Sequence, residues 1–324
     1  MATETMQKLD FMQRNNITVK EYHENYLINC KVRNLAEKTL KLYQEHFDMF
    51  LLYLKKENIS DILLSSVNSK IIDGFILYLR ERGIRDTTVN SYMRDIRAFF
   101  YFCMEDEQLP RFKIKLPKAD KRIKETYTDA ELAILLKKPD IKKVDFTEYK
   151  MWVFSNYLLA TGNRISSILE LKIKDLDFDN CLIQVDKTKN RKSQIIPMSK
   201  ALSGILREYL LYRKGEEDEY VFCNCYGKKA ELRTYQNMLY KYNRNRGVQK
   251  TSAHLYRHTF AKKWILNGGD IFRLQKILGH SDLTVVREYV NMFSKDLSID
   301  FELFNPLDNF ETHSCGSKIK LRAM

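Results

Sequence analysis

Helical periodicity runs from Val19 to Glu105 and then stops. The stretch that stops it, LPRFKIKLPKADKRIKE from Leu109 to Glu125, constrains the fold more than any other. Proline disfavours helix, and Pro110 and Pro117 stand here among Arg111, Lys113, Lys115, Lys118, Lys121, Arg122 and Lys124, whose like charges repel. Residues 109–125 therefore read as an extended, basic linker, and a strap of this kind suits a phosphate backbone. A chain of 324 residues divided here gives two domains of ordinary size.

On the N-terminal side, residues 1–16 form an extension and 17–108 a small helical bundle. Leu40, Tyr43, Phe47, Leu51 and Leu54 recur at three- and four-residue spacing and mark one face of a long helix. Shorter periodic stretches follow near 68–82 and 87–104, the second with Val89, Tyr92, Ile96, Phe99, Phe100 and Cys103 on one side. Its opposite side carries Asn90, Ser91, Arg94 and Arg97. These types suit phosphates and base edges, although a solvated polar face has the same look.

On the C-terminal side, Thr128 and Glu131 in TDAE have the form of a capping box, so a helix starts there, and helical patterns continue to about Lys172. CLIQV (181–185) and SQIIPM (193–198) read as two strands of a hairpin joined by the basic turn DKTKNRK, the one clear sheet element. Helices resume at Lys200–Arg213 and from Tyr235. Gly268 and Gly269 end the helix that begins near Ser252, and Gly279 ends the next, DIFRLQKIL.

The net charge of +13 favours a polyanionic partner, nucleic acid foremost. No apolar stretch approaches the roughly 20 residues of a membrane span, and the N-terminus has no signal-peptide pattern, so a cytoplasmic protein without a membrane partner is expected. The cysteines are scattered, with no paired C-x-x-C, which favours neither disulfides nor zinc.

SAHLYRHTF (252–260) carries the chemistry. On a helix His254, Arg257 and His258 share one face. The histidine spacing matches a metalloprotease helix, but Leu255 stands where that chemistry needs a glutamate, and an arginine on the same face repels a cation. An anion is the better guest, because arginine binds phosphate oxygens bidentately and the helix N-terminus adds partial positive charge. Elsewhere ATGNRIS places Arg164 after a glycine turn, the hairpin tip supplies Lys189, LGHS places His280 after a helix-ending glycine, and Tyr289 follows nine residues later.

These residues, in this order, resemble the tyrosine recombinase, or phage-integrase, family. Its pattern is an arginine after T-G-x, a hairpin lysine, H-x-x-R, a histidine or tryptophan after L-G, and a tyrosine nine residues on. TTVNSYMRDIRAFFYF (87–102) is similar to the last helix of the family's core-binding domain, and 126–293 to its catalytic domain. The resemblance implies a mainly α fold with a small β-sheet: a helical, SAM-like core-binding domain plus an α+β catalytic domain. It implies the two-domain, mobile-element type.

The resemblance further implies a site-specific DNA recombinase. Tyr289 is its nucleophile, giving a 3′-phosphotyrosine, and Arg164 and Arg257 stabilise the charge on the phosphate. His254 is the candidate base, Lys189 the proton donor to the departing 5′-oxygen, and His280 a phosphate ligand, with His258 in support. Lys187 or Lys192 can take the place of Lys189. No cofactor or metal is implied, because the covalent intermediate keeps the bond energy.

The expected partners are double-stranded DNA with inverted-repeat core sites, a homotetramer on DNA, and an excisionase or other accessory factor. DNA contacts are expected from Asn90, Ser91, Arg94, Arg97, Lys113, Lys115, Lys118, Lys121 and Arg122. Ser167 departs from the family, which often has an acid three positions after the first arginine, and Asn163 stands where an apolar residue is commoner. The tail, 294–324, with Leu297, Ile299, Phe301, Leu303 and Phe304, reads as an apolar helix that docks on its own domain or on a neighbouring protomer, the latter being the family's habit. Two other classes remain: a type IB topoisomerase-like enzyme, and a non-catalytic DNA-binding regulator on the same scaffold.

Overall fold

The computed structural model describes residues 17–118, 125–185 and 193–279. The chain divides into two units, residues 1–122 and 123–324.

Among its described residues the first unit holds four α-helices. α1 (Val19–Val32) starts at Thr18, whose hydroxyl accepts the Glu21 N–H while the Glu21 carboxylate accepts the Thr18 N–H. α2 (Glu37–Lys56) is the long helix expected from the Leu40-to-Leu54 stripe, and α3 (Ser69–Glu81) and α4 (Asp86–Glu105) complete the bundle. Their inward faces meet in an aromatic core. Phe50 packs edge-on against Phe75 at 5.0 Å and Phe100 at 5.6 Å, and Phe47 packs against Phe99 at 5.3 Å. His23 lies flat on Phe47 at 3.5 Å, and burial pulls its pKa down to about 4, so it sits in the core as a neutral ring.

Residues 109–118 form no regular element, as the prolines require, yet they belong to this bundle rather than hanging from it. Leu109 and Ile114 are buried in its core, with Phe112 and Leu116 packed against it. Arg111, Lys113, Lys115 and Lys118 remain exposed. An extended chain turns alternate side chains to opposite sides, so the KIKL-type alternation docks one side and keeps the cations on the other. The Asn90 side chain fastens the end of this strap, donating to the Pro117 carbonyl at 2.9 Å.

The second unit is built around α6 (Phe146–Thr161), an all-round apolar helix buried along most of its length. Before it comes α5 (Asp129–Leu135), started by the expected Thr128–Glu131 capping box. Trp152 donates to the Leu136 carbonyl at 2.8 Å and ties α6 to the end of α5. After it come α7 (Ile165–Ile168), α8 (Lys200–Arg213), α9 (Leu232–Asn245), α10 (Ala253–Leu266) and α11 (Ile271–Leu278). α8, α9 and α10 pack on α6.

The sheet has three antiparallel strands in the order β1 (Leu176–Asp177), β2 (Leu182–Val185) and β3 (Gln194–Pro197). Ile183 and Ile196 pair across it and point into the core, while Ile195 faces out. The hairpin expectation therefore needs correcting by one strand. β1 is two residues long, too short to show a period, and it exists because Leu176 pairs with Ile183.

Candidate active site

Three local structures of the second unit converge. The first is the turn after α6. Gly162 ends that helix with φ of +62°, and a Cβ there would stand 2.5 Å from Phe260 Cδ1 and 2.9 Å from Leu278 Cδ2, so the turn closes only on glycine. The chain then presents the half-buried Arg164 at the start of α7.

The second is the first turn of α10. Ser252 caps it, accepting the His254 N–H at 3.2 Å. His254 keeps part of its surface in solvent at the helix start, and Arg257, one turn on, is 4% exposed. The third is the end of α11, where Gly279 has φ of +61°.

Arg257 joins all three. Its Nη1 donates to the Gly162 carbonyl at 2.8 Å and its Nη2 to the Leu278 carbonyl at 2.7 Å. One guanidinium thus fastens the backbone two residues before Arg164 to the backbone two residues before His280. Burying a guanidinium is costly unless its donors are satisfied, and carbonyls at the end of a helix also complement its charge.

Partial burial, then the positive charges of Arg257 and Arg164, hold the His254 imidazole below the usual histidine range. Both arginines thus act on His254, and the shift favours its neutral ring. A neutral ring in a positive field can accept a proton, and the field itself attracts an anion. His258, one turn beyond His254 on the same helix, is half-buried. Lys189 with its alternatives Lys187 and Lys192, together with His280 and Tyr289, lies outside the described residues. So do the tail and the linker cations Lys121 and Arg122.

Among the residues expected to meet DNA, Arg94 is exposed, Ser91 is half-buried, and Arg97 is half-buried with its guanidinium over the Tyr101 ring at 5.9 Å. Asn90 must be reassigned. It is buried, and its amide is engaged by Pro117, because the returning strap covers that part of α4. Sequence reasoning missed Gln194, whose side chain reaches the end of α11, and nothing local to SQIIPM signals it. Ser167, in the place often held by an acid, is buried, and with Glu170, Lys172 and Gln184 it lines a cavity of about 230 Å³.

The phage integrase family model matches residues 127–295, and the phage integrase SAM-like domain model matches 18–123. The chain belongs to the phage integrase family, the tyrosine recombinases, and is a site-specific recombinase enzyme. It is 24% identical over 293 residues to the tyrosine recombinase XerD of Staphylococcus aureus, covering 87% of this chain and 98% of that protein.

Similar solved structures include the Tn1549 transposon integrase in complex with transposon right-end DNA, with TM-score 0.67, 23% identity, and 82% and 92% of the two chains covered. A lambda integrase dimer bound to a COC′ core site has TM-score 0.67, 15% identity, and 87% and 80% covered. These likenesses bear out the mainly helical fold with its small sheet. No helix among the described residues is long and apolar enough to cross a membrane.

Proposed function

We propose that the chain cuts and rejoins DNA by attack of the Tyr289 hydroxyl on a scissile phosphate. The bond from phosphorus to the 5′-oxygen breaks as the bond to the tyrosine oxygen forms, leaving a 3′-phosphotyrosine and a free 5′-hydroxyl. Arg164 and Arg257 hold the non-bridging oxygens, on which negative charge grows in the transition state. Neutral His254 receives the tyrosine proton, Lys189 supplies one to the departing oxygen, His280 bonds a phosphate oxygen, and His258 braces the helix. The observation that carries this reading is Arg257, whose guanidinium binds both the turn presenting Arg164 and the helix end preceding His280.

On the same reading four protomers hold two inverted-repeat core sites and exchange strands in pairs through a Holliday junction, as the integrase of a mobile element. An accessory factor sets direction. Arg94 and Arg97, and the row Lys113, Lys115 and Lys118, run along the backbone of duplex DNA. The tail docks on a neighbouring protomer.

Covalent capture tests this. Nicked duplexes from a randomised library, incubated with the protein, yield a phosphotyrosyl adduct with a subset of sequences. Tyr289→Phe abolishes the adduct; its persistence in that variant overturns the assignment. Relaxation of supercoiled plasmids that lack the captured sequences points to a topoisomerase, and no adduct with any sequence points to a regulator.

A further inference from the structure

The last carbonyls of a helix have no partner within it; at the end of α11 the Gly279 N–H reaches the Lys276 carbonyl, and side chains from elsewhere supply further donors. Arg257 takes the Leu278 carbonyl, and the Gln194 amide nitrogen, on the first residue of β3, donates to Ile277 at 2.6 Å and also to Lys276. The Gln194 Oε1 lies 2.8 Å from where a Cβ on residue 279 would stand, so Gly279 permits the approach. Gln194 itself is half-buried and paired to Val185 in the sheet, which fixes its backbone. The sheet thus grips the same helix end that orients the buried arginine.

We infer that Gln194 is a positioning residue of the cleavage site. By holding the Lys276 and Ile277 carbonyls it keeps the end of α11 formed, so that the Leu278 carbonyl aims the Arg257 guanidinium. This rests on the reading that Arg257 holds the scissile phosphate. Gln194 touches no reacting group. Its effect is on how well Arg257 is preorganised, and preorganisation governs the rate of the chemical step more than the affinity for DNA.

The test uses the full chain and the nicked duplexes captured by the wild-type protein. Gln194→Met keeps the length of the side chain and removes the donor. At saturating protein it slows adduct formation roughly tenfold, the size of one net hydrogen bond lost, with DNA affinity unchanged. Amide exchange over residues 276–279 quickens in the same variant.

Gln194→Glu has the same shape but donates only when protonated. Its rate relative to wild type at each pH is low at pH 7 and recovers as pH falls toward the carboxyl range, a trend that loss of packing does not produce. A wild-type rate in Gln194→Met, or a defect confined to DNA affinity, overturns the inference. Arg257→Lys separates the two levels. If it is slow while Gln194→Met is not, the inference alone falls; if it cleaves at the wild-type rate, the phosphate-holding reading falls and the inference with it.

Discussion

The first unit and the second are both mostly helix, but they are held to different standards. In the first, Phe50, Phe75, Phe99 and Phe100 interlock as a core whose contacts are apolar and mutually replaceable in kind. In the second, a charged side chain 4% exposed is held by two named carbonyls, between two turns that each need a positive φ. Packing of the first kind tolerates exchange of one apolar shape for another. Packing of the second kind tolerates little, since each bond has one donor, one acceptor and one direction.

The comparison can be broken from either side. The largest stability effect is expected in the first unit: Phe100→Ala removes a fully buried ring and costs about 3–5 kcal/mol, read as a lower denaturant midpoint. Amides of residues 17–118 should lose protection first. If instead the second unit loosens equally, the two cores are not separate cooperative units.

Gly162→Ala comes next. The left-handed conformation costs alanine about 1–2 kcal/mol, and overlap with Phe260 and Leu278 adds about 1–3 kcal/mol. Its signature is activity lost beyond stability: adduct formation is expected to drop on the order of 100-fold at temperatures where the variant is folded, because the turn carries both Arg164 and an Arg257 acceptor.

The pH response sharpens the contrast. His23 has its pKa lowered from 6.5 to about 4, so below pH 6.5 the unfolded chain takes up a proton that the folded chain refuses. Stability is therefore full above that value and declines as pH falls toward about 4, by about 3 kcal/mol in all. Urea melts of wild type and His23→Gln over this range should converge at low pH. Parallel curves would mean that His23 is not the titrating group.

The smallest effect concerns the strap. Lys113→Ala with Lys115→Ala removes two exposed cations and leaves the buried side intact. The melting point should stay within about 1–2 °C of wild type. The slope of log affinity for duplex DNA against log salt should fall by about 0.9 per lost phosphate contact. An unchanged slope removes these lysines from the DNA interface.

What each region showed in advance follows from the same difference. The faces of α2 and α4, the Thr128 cap and the glycines that end α6 and α11 were legible, because periodicity and capping are local rules. The residue kinds of the site were legible as an ordered motif, and the family models span the same stretches. Asn90 was misplaced because its register on α4 says nothing of a segment returning from 27 residues away.

By itself, then, the sequence determined most of the helical stretches and several of their ends, and which side chains stand at 164, 254 and 257. Only the tertiary structure decided what those groups hold. Arg257 meets Gly162 across 95 positions and Leu278 across 21, and Gln194 meets Ile277 across 83. Such bonds are made when apolar packing has already brought the segments together. Packing depends on volumes summed over the whole core, and no local pattern records it.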